Sequence, residues 1–164
     1  MIHLVQYHPA IPQNTGNIAR TAVGLGAHLH LIHPMKFEIS DHAVQRAGLD
    51  HWPLVELTQH ADDTAFLGWL DRHGRRPWLI TKHTAGSHRI DTVPFAAGDV
   101  LLLGNENTGL PAAWHQRWPD RRTHIPMPGP AHGRGNIRSF NVANCAAIAL
   151  CQAHLRIHPA APDT

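Results

Sequence analysis

The residues best suited to chemistry gather in a few short segments. GNENTGLP, Gly104 to Pro111, is a Gly-rich turn after the apolar run Val100 to Leu103. Between a buried strand and a helix, such a turn lets backbone N–H groups approach an anion or a nucleotide. The spacing of Gly104 and Gly109 matches the glycines of a phosphate loop, yet Leu110-Pro111 stands where Lys-Ser/Thr must supply charge and a magnesium ligand. A nucleoside triphosphatase site is therefore not expected. Neither Gly24-Leu25-Gly26 nor Gly133-Arg134-Gly135 goes on to complete a dinucleotide fingerprint. Asn14 and Asn17 in PQNTGNIAR, and Ser139 and Asn141 in RSFNVAN, are residue types that either cap helices or hold a substrate, while Arg20 is either a solvated helix residue or a substrate contact. Arg134 and Arg138, in a Gly-rich stretch, suit phosphate contacts.

Histidine is the other conspicuous group. His28-Leu29-His30 puts two imidazoles on one face of a strand, with His33 close by. No carboxylate or Cys accompanies them and H-E-x-x-H is absent, so surface or satisfied core histidines are expected and no metal. Cys145 and Cys151, six apart on an apolar stretch, read as buried inert thiols. Of the five tryptophans, Trp52 follows Gly48-Leu49-Asp50 and is the one best placed to stack on an unpaired base.

The elements that must position these groups follow from periodicity. Ile2 to Tyr7 reads as a strand, and Asn14-Thr15-Gly16-Asn17 offers caps for a helix ending near Gly26. Leu29 to Ile32 is a strand, Ser40-Asp41 caps a short helix to Gly48, and Pro53 to Leu57 is a brief strand. Asp62-Asp63 starts a helix with Phe66, Leu67 and Leu70 on one face, stopped by Gly74. Trp78 to Thr81 and Val100 to Leu103 are continuous apolar runs, as in strands covered on both faces. Pro111 opens a helix to Trp118, His124 to Met127 is a last strand, and Ser139 to about Ile157 is an apolar helix. Strands alternating with helices predict an α/β domain with a mainly parallel sheet flanked by helices. Its ligands should bind beyond the carboxyl ends of the strands.

The chain has 164 residues, which suits one domain, residues 1–157, with a loose Pro-rich tail over 158–164. With 43% hydrophobic and 16% charged residues, charge-driven disorder is excluded, and no apolar run approaches the ~18 residues of a membrane span. The basic residues are 12 Arg against 2 Lys, a bias towards bidentate contacts with phosphates and bases. MIHLVQYHP has no charged region ahead of an apolar run, and there is no C-x-x-C pattern. A reduced, cytoplasmic setting is the expectation.

Three segments together are more specific than any one alone. PQNTGNIAR at 12–20, LGNENTGLP at 103–111, and IPM at 125–127 followed by RSFNVAN at 138–144 resemble, in order, the three motifs of the SPOUT (α/β-knot) RNA methyltransferases. The likeness is greatest to the minimal bacterial tRNA 2′-O-methyltransferases of the wobble nucleotide, in which an RRAGLDY-like sequence follows the second strand. Gln45-Arg46-Ala47-Gly48-Leu49-Asp50 occupies that place. The resemblance implies a C-terminal trefoil knot holding S-adenosylmethionine, a homodimer, and the anticodon loop of tRNA as substrate, with C or U methylated at the wobble position. Ribosomal RNA methylation and non-catalytic RNA binding are the alternatives on the same fold.

Carried over by position, the resemblance assigns the cofactor pocket to Leu79, Gly104, Glu106, Ile125, Met127, Ser139 and Asn141. It assigns catalysis to Arg20 with Asn14 beside it, and RNA contacts to Arg46, Arg134, Arg138 and Trp52. A guanidinium with pKa above ~12 is a poor proton acceptor, so Arg20 suits orienting the nucleotide and stabilising the developing alkoxide. A sulfonium is already an activated leaving group, so methyl transfer requires neither metal nor a covalent enzyme intermediate. Read structurally instead, Leu79, Ile125 and Met127 are core residues and Glu106 is a carboxylate at the start of the helix after Pro111.

Overall fold

The computed structural model describes residues 1–39, 51–128 and 139–159. Seven parallel strands form one sheet: β1 (His3–Tyr7), β2 (His28–Ile32), β3 (Leu57–His60), β4 (Pro77–Ile80), β5 (His88–Arg89), β6 (Val100–Leu103) and β7 (Arg122–His124). Their order is β3-β2-β1-β6-β4-β7-β5. Among the described residues, the α-helices are α1 (Pro12–Gly24), α2 (Asp63–Arg72), α3 (Ala112–Arg117) and α4 (Val142–Ile157). Among the described residues, no helix is long and apolar enough to cross a membrane.

The central strand shows why the apolar runs are continuous. Every residue of β6 is buried, because alternate side chains enter two different cores. Leu101 and Leu103 join Leu4, Ile18, Leu29, Leu31 and Leu150 beneath α1 and α4. Val100 and Leu102 join Val5, Phe66, Leu70, Leu79 and Trp114 beneath α2 and α3. Ala19 and Ala22 of α1 and Ala146, Ala149 and Ala153 of α4 are all buried, small residues where these two helices pack together. The chain turns from one half of the sheet to the other between β1 and β6, whose register runs from His3↔Val100 to Gln6↔Leu103. The carboxyl ends there form the crevice in which such sheets bind ligands.

Several boundaries differ from the sequence expectation, each for a local reason. α1 begins at Pro12, which has no N–H to leave unpaired, and its N-cap Ile11 uses no side chain. Asn14 and Asn17 therefore are not caps. The strand expected over Pro53–Leu57 is a 3-10 turn at Trp52–Leu54, where proline fits the first turn, and the strand itself starts at Leu57. β7 ends at His124, before Pro126 and Pro128, which cannot donate to a ladder. The two-residue edge strand β5 was not expected. α4 starts at Val142, capped by Asn141, whose Oδ1 accepts the Ala143 N–H at 2.8 Å. Asp62 caps α2 as expected, its carboxylate accepting the Ala65 N–H at 2.7 Å, and Gly74 ends the turn that follows with φ +58. The helix expected between Ser40 and Gly48 lies outside the described residues.

Candidate active site

Beyond the carboxyl ends of β4, β6 and β7 lies a cavity of about 490 Å³. Ile80 to Thr84 form one side, Leu103 to Leu110 another, and Ile125, Met127 and Ser139 to Val142 close it. All three segments singled out in the sequence thus contribute: Asn14 from the first, Gly104 and Glu106 from the second, and Ile125, Met127, Ser139 and Asn141 from the third.

The loop after β6 is shaped by Asn105. Its Oδ1 accepts the N–H groups of Asn107 and Thr108 at 2.8 and 3.0 Å, and its Nδ2 donates to the His8 carbonyl at 2.6 Å. Asn105 and Gly109 exchange both backbone hydrogen bonds, at 3.1 and 2.9 Å. Four of the loop's N–H groups are therefore satisfied within the loop, and an anion cradle of the phosphate-loop type is not what this turn builds. Gly109 carries φ +73, and a Cβ on Gly104 would lie 2.6–2.9 Å from backbone atoms of Gly109 and Leu110. The close return of the loop on itself is possible only because residue 104 has no side chain.

Glu106 joins this loop to the start of α1. Its carboxylate accepts from Gln6 Nε2 (3.3 Å), Ala10 N (3.0 Å), Ile11 N (3.3 Å) and Asn14 Nδ2 (3.3 Å). The helix-end reading was thus right in kind and wrong in place, because the N–H groups it serves precede α1 rather than follow Pro111. Gln6, fully buried, completes the link by accepting the Thr15 hydroxyl at 2.9 Å. Asn14 Oδ1 accepts from Asn141 Nδ2 at 3.0 Å. A single run of hydrogen bonds therefore ties β1, the loop after β6, α1 and the cap of α4 together at the cavity wall.

Other expected residues lie elsewhere. Leu79 does not line the cavity; its side chain is fully buried in the core beneath α2 and α3, and the neighbour on the opposite face, Ile80, takes the place at the wall. Period-two alternation along a strand requires that exchange. Arg20 stands on the exposed face of α1 and is not part of the wall. Trp52 is half-buried against the core near α1. Arg46, Arg134 and Arg138 lie outside the described residues.

Sequence reasoning missed Gln6, Asn105, Ile80 and Cys145 at this site. Gln6 had a signal, a polar residue inside the otherwise apolar HLVQY strand. Cys145 lines the cavity, and burial pushes its thiol up to about 11, so it stays protonated at neutral pH. His115, also at the wall, has its pKa lowered by burial and then by His83 and Arg122, which favours the neutral imidazole.

The chain matches the SpoU rRNA Methylase family over residues 1–151. A tRNA (cytidine(34)-2′-O)-methyltransferase of Methylovorus glucosotrophus is 38% identical over 154 residues, covering 93% of this chain and 94% of that protein. A solved structure described as giving structural insights into 2-OH methylation of C/U34 on tRNA superposes with TM-score 0.83 at 43% identity, covering 95% of both chains. An AdoMet-bound rRNA methyltransferase from Sinorhizobium meliloti superposes with TM-score 0.74 at 28% identity, covering 93% of this chain and 55% of that one. With the three motif segments meeting at one cavity and the family match spanning nearly the whole sequence, the chain belongs to the SpoU methylase family.

Proposed function

We propose that this protein transfers a methyl group from S-adenosylmethionine to the ribose 2′-oxygen of the wobble nucleotide, C or U, in a tRNA anticodon loop. The observation that carries this reading is the Glu106–Asn14–Asn141 chain, which brings all three motif segments to one cavity at the carboxyl ends of the strands. The relatives that share most of this chain's length are named for that reaction.

The cavity suits the cofactor. Apolar walls from Ile80, Leu103, Ile125 and Met127 stand beside polar groups of Ser139 and Asn141, and Gly104 leaves the turn free of side-chain bulk. These residues would hold the adenosyl and methionyl parts. Bound there, S-adenosylmethionine supplies a methyl group on a positively charged sulfur, already activated for displacement. The protein's own share is to hold the two reacting centres close and to screen them from water, which is worth several kcal/mol. Glu106 serves as a positioning residue, since four donors already occupy its oxygens.

Arg20 is assigned to orienting the nucleotide and stabilising the developing alkoxide. Its place on the outer face of α1 fits a site shared between two copies of the chain. The outward stripe of α4, with Ile148, Cys151 and Leu155 exposed, offers an apolar surface for such a homodimer. Arg46, Arg134, Arg138 and Trp52 are assigned to the RNA, the arginines for phosphates and the indole for stacking. The trefoil knot belongs to this reading as well. A single domain over 1–157 and a cytoplasmic location complete the proposal.

The test is to incubate the protein with labelled S-adenosylmethionine and unmodified total tRNA, digest the RNA, and locate the methylated nucleoside by mass spectrometry. A 2′-O-methylpyrimidine at position 34 is expected. No transfer to tRNA, with S-adenosylhomocysteine still bound, would overturn the substrate and direct the same assay to ribosomal RNA.

A further inference from the structure

At the opposite, amino-terminal rim of the sheet, the register of β1 on β2 sets His3 against His28, with His30 two residues further along the same face. One ring nitrogen from each of these three histidines lies within 4.8 Å of the other two. The spacing of His28 and His30 alone offers two imidazoles; the third comes from a strand 25 positions away in sequence and is delivered only by the fold. We propose that His3, His28 and His30 bind one divalent transition-metal ion of the zinc class, at a site separate from the methyl-transfer cavity.

The His3 and His30 nitrogens need little movement, whereas a separation of up to 4.8 Å within the trio must close by as much as about 1.5 Å as His28 turns towards the ion. His3 Nδ1 and His30 Nε2 are 2.9 Å apart, sharing a hydrogen bond. Two imidazole ligands on a tetrahedral zinc at ~2.0–2.1 Å are separated by roughly 3.3 Å, so exchanging that bond for an ion opens the pair by a few tenths of an ångström. Surrounding groups resemble those that orient metal-bound histidines. His30 Nδ1 is 3.0 Å from His60 Nε2, which fixes the ring and leaves Nε2 to ligate. His28 Nε2 hydrogen-bonds the Thr58 hydroxyl at 2.8 Å and its Nδ1 is 3.6 Å from the Glu56 carboxylate, so ligation by His28 exchanges the Thr58 contact for the ion and leaves Nδ1–H to Glu56. Trp69 packs on both His3 and His30, with ring centroids 5.2 and 4.5 Å away, and walls the site from solvent.

Charge and access are also compatible. Arg75 lies over the Trp69 ring, its guanidinium carbon 5.9 Å from the ring centroid. Arg75 opposes a cation, and Glu56 offsets it. The His28 side chain is 25% exposed and provides the entry. An ion here would clip β1 to β2, stabilising the fold without touching the reaction. All-nitrogen ligation selects zinc, nickel or copper over magnesium.

The experiment uses chelator-treated protein titrated with ZnCl2, NiCl2 or MgCl2, followed by calorimetry and thermal denaturation. Expected are one zinc per chain, a higher Tm with zinc and nickel, and no change with magnesium. His28→Gln and His3→Gln should each weaken zinc binding by at least ~10-fold while leaving S-adenosylhomocysteine affinity unchanged, which also reports that the variants are folded. Cobalt added to the unmodified protein should give the intense visible absorption of a tetrahedral site, a readout needing no variant. The proposal is overturned if zinc is not taken up, or if both variants bind it as well as the parent. It is also overturned if His154→Gln abolishes uptake instead, since His154 near the end of α4 and His158 just after it, with rings 4.8 Å apart, form the competing surface pair.

Discussion

Asn141 Nδ2 donates to Asn14 Oδ1 across 3.0 Å, joining residues 127 positions apart. The same Asn141 caps α4 through its Oδ1, and the same Asn14 donates to Glu106. One amide thus terminates a helix and anchors the wall of the cavity.

The two duties of Asn141 can be separated. Asn141→Ala removes both and should cost about 1 kcal/mol of stability from the cap alone, with S-adenosylhomocysteine affinity reduced by at least ~10-fold. Asn141→Asp keeps an acceptor for the Ala143 N–H but has no donor for Asn14. It should recover most of the stability in thermal denaturation and little of the affinity in calorimetry. Equal recovery of both would show that the link to Asn14 does not shape the site.

Gly104→Ala tests the turn. The new Cβ would meet the backbone of Gly109 and Leu110 at 2.6–2.9 Å, where no side-chain rotation brings relief, so the loop must open. Cofactor affinity should fall by at least ~10-fold, the equivalent of about 1.4 kcal/mol. Calorimetric affinity within two-fold of the parent would contradict the placement of that loop against the cofactor.

Leu79 and Ile80 are adjacent and should respond oppositely. Leu79→Ala leaves a void in a fully buried position and should destabilise the protein by about 2–5 kcal/mol in denaturant, with modest change in cofactor affinity. Ile80→Ala opens the cavity wall and should weaken S-adenosylhomocysteine with a smaller loss of stability. Reversed effects would return the pocket role to Leu79.

These contrasts show what the sequence could carry. Local signals were legible: the apolar runs of β4 and β6, the Asp62 cap, Pro111 before α3. So was the order of the three motifs. Which face a strand residue takes was not, because Leu79 and Ile80 are both apolar and the strand is covered on both sides. Long-range partners were equally hidden. Glu106 looked suited to the helix following its own loop, whereas sheet order carries it to Ala10 and Ile11, and His3 met His28 only through strand pairing.

Arg20→Ala should abolish methyl transfer to tRNA while S-adenosylhomocysteine affinity stays within a few-fold, because Arg20 is not part of the cavity wall. Arg20→Lys keeps the charge but not the planar fork and should restore little activity. A large loss of cofactor affinity in the alanine variant would place Arg20 in the cofactor pocket.

Tyr7 is the only tyrosine, so its ionisation can be followed directly by the absorbance of tyrosinate at 295 nm. Burial, then the Asp63 carboxylate that accepts its hydroxyl at 3.3 Å, pushes its pKa from 10.0 up to about 12. The unfolded chain gives up this proton near pH 10, the folded chain near 12. The buried phenol therefore favours folding fully below pH 10, and that contribution is lost as pH rises from 10 to 12. Urea denaturation across that range should show stability falling, and Tyr7→Phe should flatten the fall while Asp63 keeps its contact with His8. A tyrosinate midpoint near 10 in the folded protein would mean that the hydroxyl is open to solvent and that the Asp63 contact does not hold β1 to the start of α2.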